Sequence, residues 1–452
     1  MINCYNSIKY NNEWVILMTK LVELDGMVYD EYVKNHPFKS HFLQSYAWGQ
    51  FAKIEKHQTP YYLGLVDKDN NILGATLLLQ KHLPLGLCYF YAPRGFVIDF
   101  TDTSLVKKFS IEIIKFIKKK KAIFLKIDPD LIWHEENYKG DEVKPKYDCR
   151  KIFDTLQMIG FKHLGFTKNF ETTQPRYTFR IDLTGTMEDI ENRFSKTVKQ
   201  RIKKGTSLGT TVRIGDVNDI KEFSKLMDLT EDRKDFVSHD FNYYKTLYEI
   251  YNKYGKMNLF MGSINTTKVI DSYNKEKGDV LNSLDSLSKK DNLSTANQKK
   301  QKELEMRLEQ LDEYITEYSV ARDKYGEVIT LNAHVIIEYG DKAWTLYAGN
   351  HNVLSSSQSN YKVYYEHIKY CHDEGLKYYD HFGTIGDLDP KNPRYGLHIF
   401  KKAFGGNYIE FIGEFDYVSK PFWYFCFTKV VPFYRKIVRR KAKKQIKKQI
   451  EK

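Results

Sequence analysis

The chain has 452 residues, 42% hydrophobic and 29% charged, an ordinary globular composition and more than one hydrophobic core carries, so two domains are expected. Its formal charge of +13 is concentrated: eleven Lys and Arg against Glu451 lie from Lys429 onward, a balance of +10 that leaves the first 428 residues at +3 and argues against a uniformly basic body. Five scattered cysteines (Cys4, Cys88, Cys149, Cys371, Cys426), no apolar run of the ~18 residues that span a membrane and no signal-peptide pattern predict a cytosolic or peripheral protein with reduced thiols.

In chain order, Tyr61–Val66 and Ile72–Gln80 read as strands around the turn Asp69-Asn70-Asn71. Apolar spacing over Leu105–Lys121 predicts an amphipathic helix, followed by a buried strand at Ala122–Ile127 and another strand at Tyr177–Leu183. A second unit repeats the style. It has helices at Met187–Gly205, Asp219–Asp228 and Asn360–Glu374, and strands at Thr211–Ile214, Leu259–Ile264, Ala333–Tyr339, Ala343–Ala348, Tyr378–Phe382 and Tyr408–Phe415. Two similar α/β units suggest an internal duplication, although no letter-by-letter repeat is present.

Between Leu259–Ile264 and Ala333–Tyr339 the composition turns polar, with sparse apolar residues at Ile270, Tyr273, Val280, Leu284 and Leu287. After a Ser/Asn-rich break at Asp291–Asn297 they return at Leu304, Leu308, Leu311, Ile315 and Tyr318, the 4-3-4-3 seam of a coiled coil. An antiparallel helical hairpin with arms of ~24 residues, roughly 35 Å long, is predicted; taken alone, a solvated helical insertion with no ligand explains it better. The aromatic run Phe422–Phe427 and the basic run Arg439–Lys444 together suit the membrane–water interface, with an RNA-binding tail or a merely soluble charged end as the alternatives.

Catalytic motifs are scarce. There is no GxSxG, no GxxxxGK[ST] and no HExxH, since His134-Glu135-Glu136 lacks the second His. The pyrophosphate cradle of a CoA acetyltransferase is also absent: Gln157-Met158-Ile159-Gly160 comes nearest and fails at Lys162. Two constellations remain. Arg193, Lys196, Lys199, Arg201, Lys203 and Lys204 form an acid-free run suited to RNA phosphates, or to a solvated helix face. In Phe400-Lys401-Lys402-Ala403-Phe404-Gly405-Gly406, a lysine among aromatics precedes a glycine pair that would let backbone approach a ligand closely.

At these residues the sequence resembles the Fem family (FemABX-type) of peptidoglycan-bridge aminoacyltransferases. The resemblance is carried by His41–Gly49, Leu346–Gly349, Tyr361–Tyr379 and above all Ile399–Gly406 followed by Tyr408–Gly413. It implies an α/β fold of two GNAT-like domains: residues 1–175, completed by about 416–428, and residues 176–415, with a helical hairpin inserted at 270–325 and a basic tail at 429–452. It also implies aminoacyl-tRNA as donor and a muramyl-pentapeptide acceptor, linked to lipid II or to UDP, at the cytoplasmic face of the membrane. No DNA, metal or cofactor is expected.

Residue by residue, the resemblance gives Lys401 the role of stabilising the transition state, with Phe400 beside it at the substrate. It gives Asp128 contact with the stem peptide and makes Tyr243 and Tyr347 site tyrosines. Lys53, after a one-residue gap, would contact a diphosphate, and His239 stands where the family has the partner Arg, a weaker anchor when neutral. Two alternatives are an N-acyltransferase with another donor or acceptor, and a non-catalytic RNA- or membrane-binding scaffold.

Overall fold

A computed structural model describes residues 19–38, 41–234, 238–289 and 294–432. Two mixed sheets of eight strands dominate. The first runs Lys20–Glu23, Thr59–Val66, Ile72–His82, Cys88–Ala92, Ala122–Ile127, Phe415–Val418, Phe161–His163, with Val97–Ile98 beside Ile72–His82. The second runs Thr211–Gly215, Lys256–Asn265, Val328–Tyr339, Lys342–Asn350, Tyr378–Asp380, Tyr177–Asp182, Asn407–Phe411, Ile132–Glu136.

Among the described strands each sheet has one parallel pair, Cys88–Ala92 with Ala122–Ile127 and Lys342–Asn350 with Tyr378–Asp380. Each pair is bridged in sequence by a crossover helix, Thr103–Lys119 and Ser359–Asp373 respectively. The two sheets share that arrangement, although no letter-by-letter repeat is present.

The chain also trades strands. Ile132–Glu136, from the first half, pairs with Asn407–Phe411 in the second sheet, whereas Phe415–Val418 returns to the first. The single strand expected over Tyr408–Phe415 is therefore two. Gly413, at φ 95°, turns the chain between sheets, a conformation that favours glycine. The helix expected over Met187–Gly205 is likewise broken, into Met187–Asn192 and Lys196–Ser207. Ser195 starts the second piece by accepting from Val198 N at 3.2 Å, and its own N–H donates to Ala403 O at 2.9 Å.

Helices Thr266–Ser288 and Thr295–Tyr325 fill the polar insertion. Lys277 pairs with Asp312 at 2.5 Å and Tyr273 meets Tyr318 at 5.9 Å, so the two run antiparallel. Nine of the ten apolar residues singled out in the sequence, all but Leu287, lie in or against one core patch there. At the base Asn265 Nδ2 donates to Glu327 Oε1 at 2.9 Å, where Lys256–Asn265 and Val328–Tyr339 are paired. The main core joins both halves: Phe42, Trp48 and Phe51 pack with Tyr243, Val335 and Trp344. No helix among the described residues is long and apolar enough to cross a membrane.

Candidate active site

Asp128 follows the strand Ala122–Ile127 and is buried. Its Oδ1 accepts from Arg94 N at 2.7 Å and its Oδ2 from the Tyr91 hydroxyl at 3.1 Å. Burial raises its pKa to about 7; the Arg94 charge opposes that, and Glu414 adds to it. Beside it is a cavity of only about 10 Å³, room for one water, walled by Arg94, Pro175, Arg176, Phe411 and Glu414. Glu414 is itself held by Lys126 at 2.9 Å and by Thr173 N at 2.5 Å.

Lys401 lies in the last turn of helix Tyr395–Lys402 and is 6% exposed. Its ammonium donates to the carbonyls of His381 at 2.7 Å, Phe382 at 3.1 Å and Gly383 at 2.5 Å. An ammonium has three N–H groups, and here three carbonyls take them. The resemblance gives this lysine a transition-state role; in this conformation it clamps a turn whose Phe382 and Gly383 have φ of 48° and 90°. The glycine pair needs a similar correction. A Cβ on Gly405, at φ 73°, would strike the Arg193 carbonyl, and one on Gly406 would lie 3.1 Å from Arg180 O. These glycines admit neighbouring backbone, not a ligand. Phe400 packs edge-on against Tyr361 and Tyr364, each at 5.1 Å.

Asp128 and Lys401 are connected through Pro175. It lines the Asp128 cavity, its carbonyl accepts from Arg94 at 3.0 Å, and its ring abuts Gly383, whose carbonyl holds Lys401.

A third group lies on the seam between the halves. The Tyr243 and Tyr347 hydroxyls are 2.9 Å apart, and the His239 ring stacks on Tyr243 at 3.6 Å and 10°. Burial lifts Tyr243 to about 12; burial and then the Lys56 charge push His239 below its usual value. The cation at this cluster is thus Lys56 and not Lys53, which is exposed. Lys56 is largely exposed as a residue, yet its ammonium sits over Trp48, Phe51 and Tyr243 at 4.5, 5.5 and 5.9 Å, and lost hydration lowers it to about 8. The signal was in the spacing: residue 56 follows Trp48 by eight positions and shares its helix face, whereas residue 53 does not.

The basic run divides. Lys196, Lys199, Arg201 and Lys203 are exposed on one helix. Arg201 bonds the Tyr361 hydroxyl and lies over its ring at 4.8 Å, and Lys204 lies over Tyr314 of the long inserted helix at 5.0 Å. Arg193 sits in the bend before that helix, bonded to Asp182 O. Among the described residues no group of three or more potential ligands could hold a metal ion.

Comparison with known proteins places this arrangement. The FemAB family matches residues 24–430. The chain belongs to the FemAB family. It is 28% identical over 420 residues to a lipid II:glycine glycyltransferase of Staphylococcus haemolyticus and 27% identical over 422 residues to that of Staphylococcus aureus strain USA300. Either match covers 91% of this chain and 96% of the relative. The crystal structure of FemX superposes with a TM-score of 0.70 at 25% identity, over 90% of this chain and 98% of FemX. The two-sheet α/β architecture is thus that of a FemAB protein.

Proposed function

We propose that this FemAB protein transfers an amino acid, glycine in the first instance, from aminoacyl-tRNA to the stem-peptide amine of lipid II at the inner face of the cell membrane. The observation carrying this reading is the near end-to-end match, on both sides, with two lipid II:glycine glycyltransferases. The chemistry asks little more than alignment. An aminoacyl ester is already activated, so the amine nitrogen attacks its carbonyl, the amine loses a proton, and the ester C–O bond breaks to return the ribose hydroxyl.

Asp128, titrating near neutrality beside the small cavity, is suited to take the amine's proton. Lys401 is suited to serve the oxyanion, once one of its three carbonyls is released. Lys56, with His239, Tyr243 and Tyr347, is suited to the acceptor diphosphate. Arg201, Lys204 and the inserted helices would face the tRNA.

The test is to incubate the protein with total charged tRNA, with and without lipid II in mixed micelles, and follow lipid II by mass spectrometry. Gain of one glycine residue, with deacylation of tRNA only when lipid II is present, is expected. Transfer from acyl-CoA instead, or no mass change, overturns the reading.

A further inference from the structure

Three elements meet at one end of the first sheet. The hairpin between Ile72–His82 and Cys88–Ala92 turns there through residues 83–87, with Leu83 N donating to Leu87 O at 2.8 Å. Cys88 stands level with Ala122, and its thiol donates to Lys120 O at 3.3 Å, which brings in the end of helix Thr103–Lys119. Ser419 N and Lys420 N both donate to Ile123 O, at 2.8 and 3.0 Å, so helix Pro421–Phe425 starts at this same end. Beyond it, Phe427 packs on Tyr89 and Phe124 at 5.2 and 5.6 Å, beside the hairpin.

The groups exposed at this end are poorly suited to water alone. Leu85, at the hairpin tip, is 83% exposed, and its φ of 63° is followed by 66° at Gly86. That left-handed pair suits Asn or Gly and disfavours a leucine. A large apolar side chain that is strained and largely uncovered points to an apolar contact outside the chain. Met158, 70% exposed, lies just ahead of strand Phe161–His163, whose Phe161 is level with Tyr417, and so joins the same end. Phe422 and Phe425 complete the apolar set. Around it Lys118, Lys119, Lys120 and Lys121 are all exposed. Segments 83–87, 118–121, 157–160 and 419–428 together hold five lysines and no Asp or Glu.

Exposed aliphatic and aromatic groups ringed by ammonium groups fit an anionic lipid surface. The apolar side chains enter the boundary and the lysines meet headgroup phosphates. RNA would engage the lysines and phenylalanines but not Leu85 or Met158, because bases stack on rings. We propose that this end of the first sheet is a membrane-docking face, with the 83–87 tip inserted and residues 118–121 on anionic headgroups. The membrane location proposed above supplies the lipid, and the face adds two anchors to Phe422 and Phe425 that fix how the molecule stands. Strand Ala122–Ile127 rises from this face, and its six residues at about 3.3 Å each hold Asp128 roughly 20 Å above the headgroups.

The test is co-sedimentation of the full chain, at low salt and without lipid II, with vesicles of phosphatidylcholine alone or with phosphatidylglycerol added. The wild type should bind the mixed vesicles much more tightly than the neutral ones. Lys118→Gln/Lys119→Gln should weaken binding to the mixed vesicles roughly 25-fold, about fivefold per lysine. Leu85→Asn, which keeps a residue tolerant of the left-handed turn, should weaken it about tenfold. One leucine is too little to hold the protein at high salt, so it acts only on top of the two phenylalanines. Both variants should unfold at the wild-type temperature. Wild-type vesicle binding in both variants overturns this face and leaves the membrane location to the tail. Equal wild-type binding to neutral and mixed vesicles overturns the anionic contact. Loss of tRNA affinity with unchanged vesicle binding in Lys118→Gln/Lys119→Gln assigns the lysines to RNA and overturns the proposal as well.

Discussion

The backbone N–H of Arg94 donates to Oδ1 of Asp128 at 2.7 Å, and Arg94 reaches that position with a left-handed φ of 59°. A strained residue is thus held in place by a carboxyl that burial raises to about 7. Because the folded value lies above the unfolded one of about 3.9, the folded state holds the extra proton between them. The stability contribution is full below about pH 4 and is lost as pH rises through 7. Asp128→Asn should flatten that slope, and the variant should be more stable than wild type at pH 8 in urea titrations. If Asp128 takes the amine's proton, wild-type kcat/KM should rise to a plateau above about pH 7, and Asp128→Asn should lose most of it. Unchanged activity in the variant would leave Asp128 a structural residue.

Lys401→Met tests the clamp against the oxyanion donor. Removing the ammonium leaves three carbonyls short of a partner, on the order of 1–3 kcal/mol each where they remain dry. Thermal unfolding should therefore fall clearly. If Lys401 also serves the transition state, single-turnover transfer by the folded fraction should drop roughly 100- to 1000-fold. A stability loss with turnover within about threefold would make Lys401 a clamp only.

Lys56 and Lys53 separate cleanly. Lys56→Gln should raise the KM for lipid II, and Lys53→Gln should not. The Lys56 ammonium is lost as pH passes about 8, so the wild-type KM should climb between about pH 7 and 9, and that climb should be missing in Lys56→Gln. Initial rates against acceptor concentration decide it; equal effects of the two substitutions would return the anion site to the helix surface.

The inserted helices can be removed at their base. Ile264 pairs with Ile329 and Asn265 with Val328, so a short Gly-containing turn in place of residues 267–326 would close a hairpin already in register. The shortened protein should fold, by circular dichroism and thermal unfolding, and bind charged tRNA more weakly. Undiminished tRNA affinity would exclude the helices from RNA binding.

Phe422 and Phe425 are 68% and 58% exposed, beside the start of the basic tail, whose residues from 433 lie outside the described ones. Co-sedimentation with anionic vesicles should weaken with salt, since exposed charges are screened beyond ~10 Å at 0.1 M. The double substitution Phe422→Ser/Phe425→Ser should remove the salt-resistant remainder. Absence of vesicle binding at low salt would remove the membrane surface from the proposal.

Elements with strong periodicity were legible from sequence: Ala122–Ile127 agrees to the residue, and the strands flanking the Asp69-Asn70-Asn71 turn agree within two residues. Breaks set by distant contacts were not. Nothing local announces that the Ser195 N–H turns to Ala403 O where the second helix starts, or that Gly413 sends the chain to another sheet. Strand Ile132–Glu136 was passed over because its side chains are all half-buried, without the alternation that marks a strand. In the candidate site, the resemblance to the Fem family led to Asp128, Tyr243, Tyr347 and His239. The commitment of Lys401 to three carbonyls and the choice of Lys56 over Lys53 depend on backbone geometry that letters do not carry.

The exchange of strands between the two sheets bears on how the molecule comes to exist. Phe415–Val418 lies between Ala122–Ile127 and Phe161–His163, so residues 161–163 have no neighbour on that side until the chain has grown to residue 418. A ribosome releasing the chain from its N-terminus therefore cannot finish the first half before the second is made. The nascent first half waits with a bare sheet edge, a state that invites aggregation and chaperone capture. A premature stop before residue 415 would open a gap inside the older half, so such fragments should collapse as a whole rather than persist as a stable N-terminal piece.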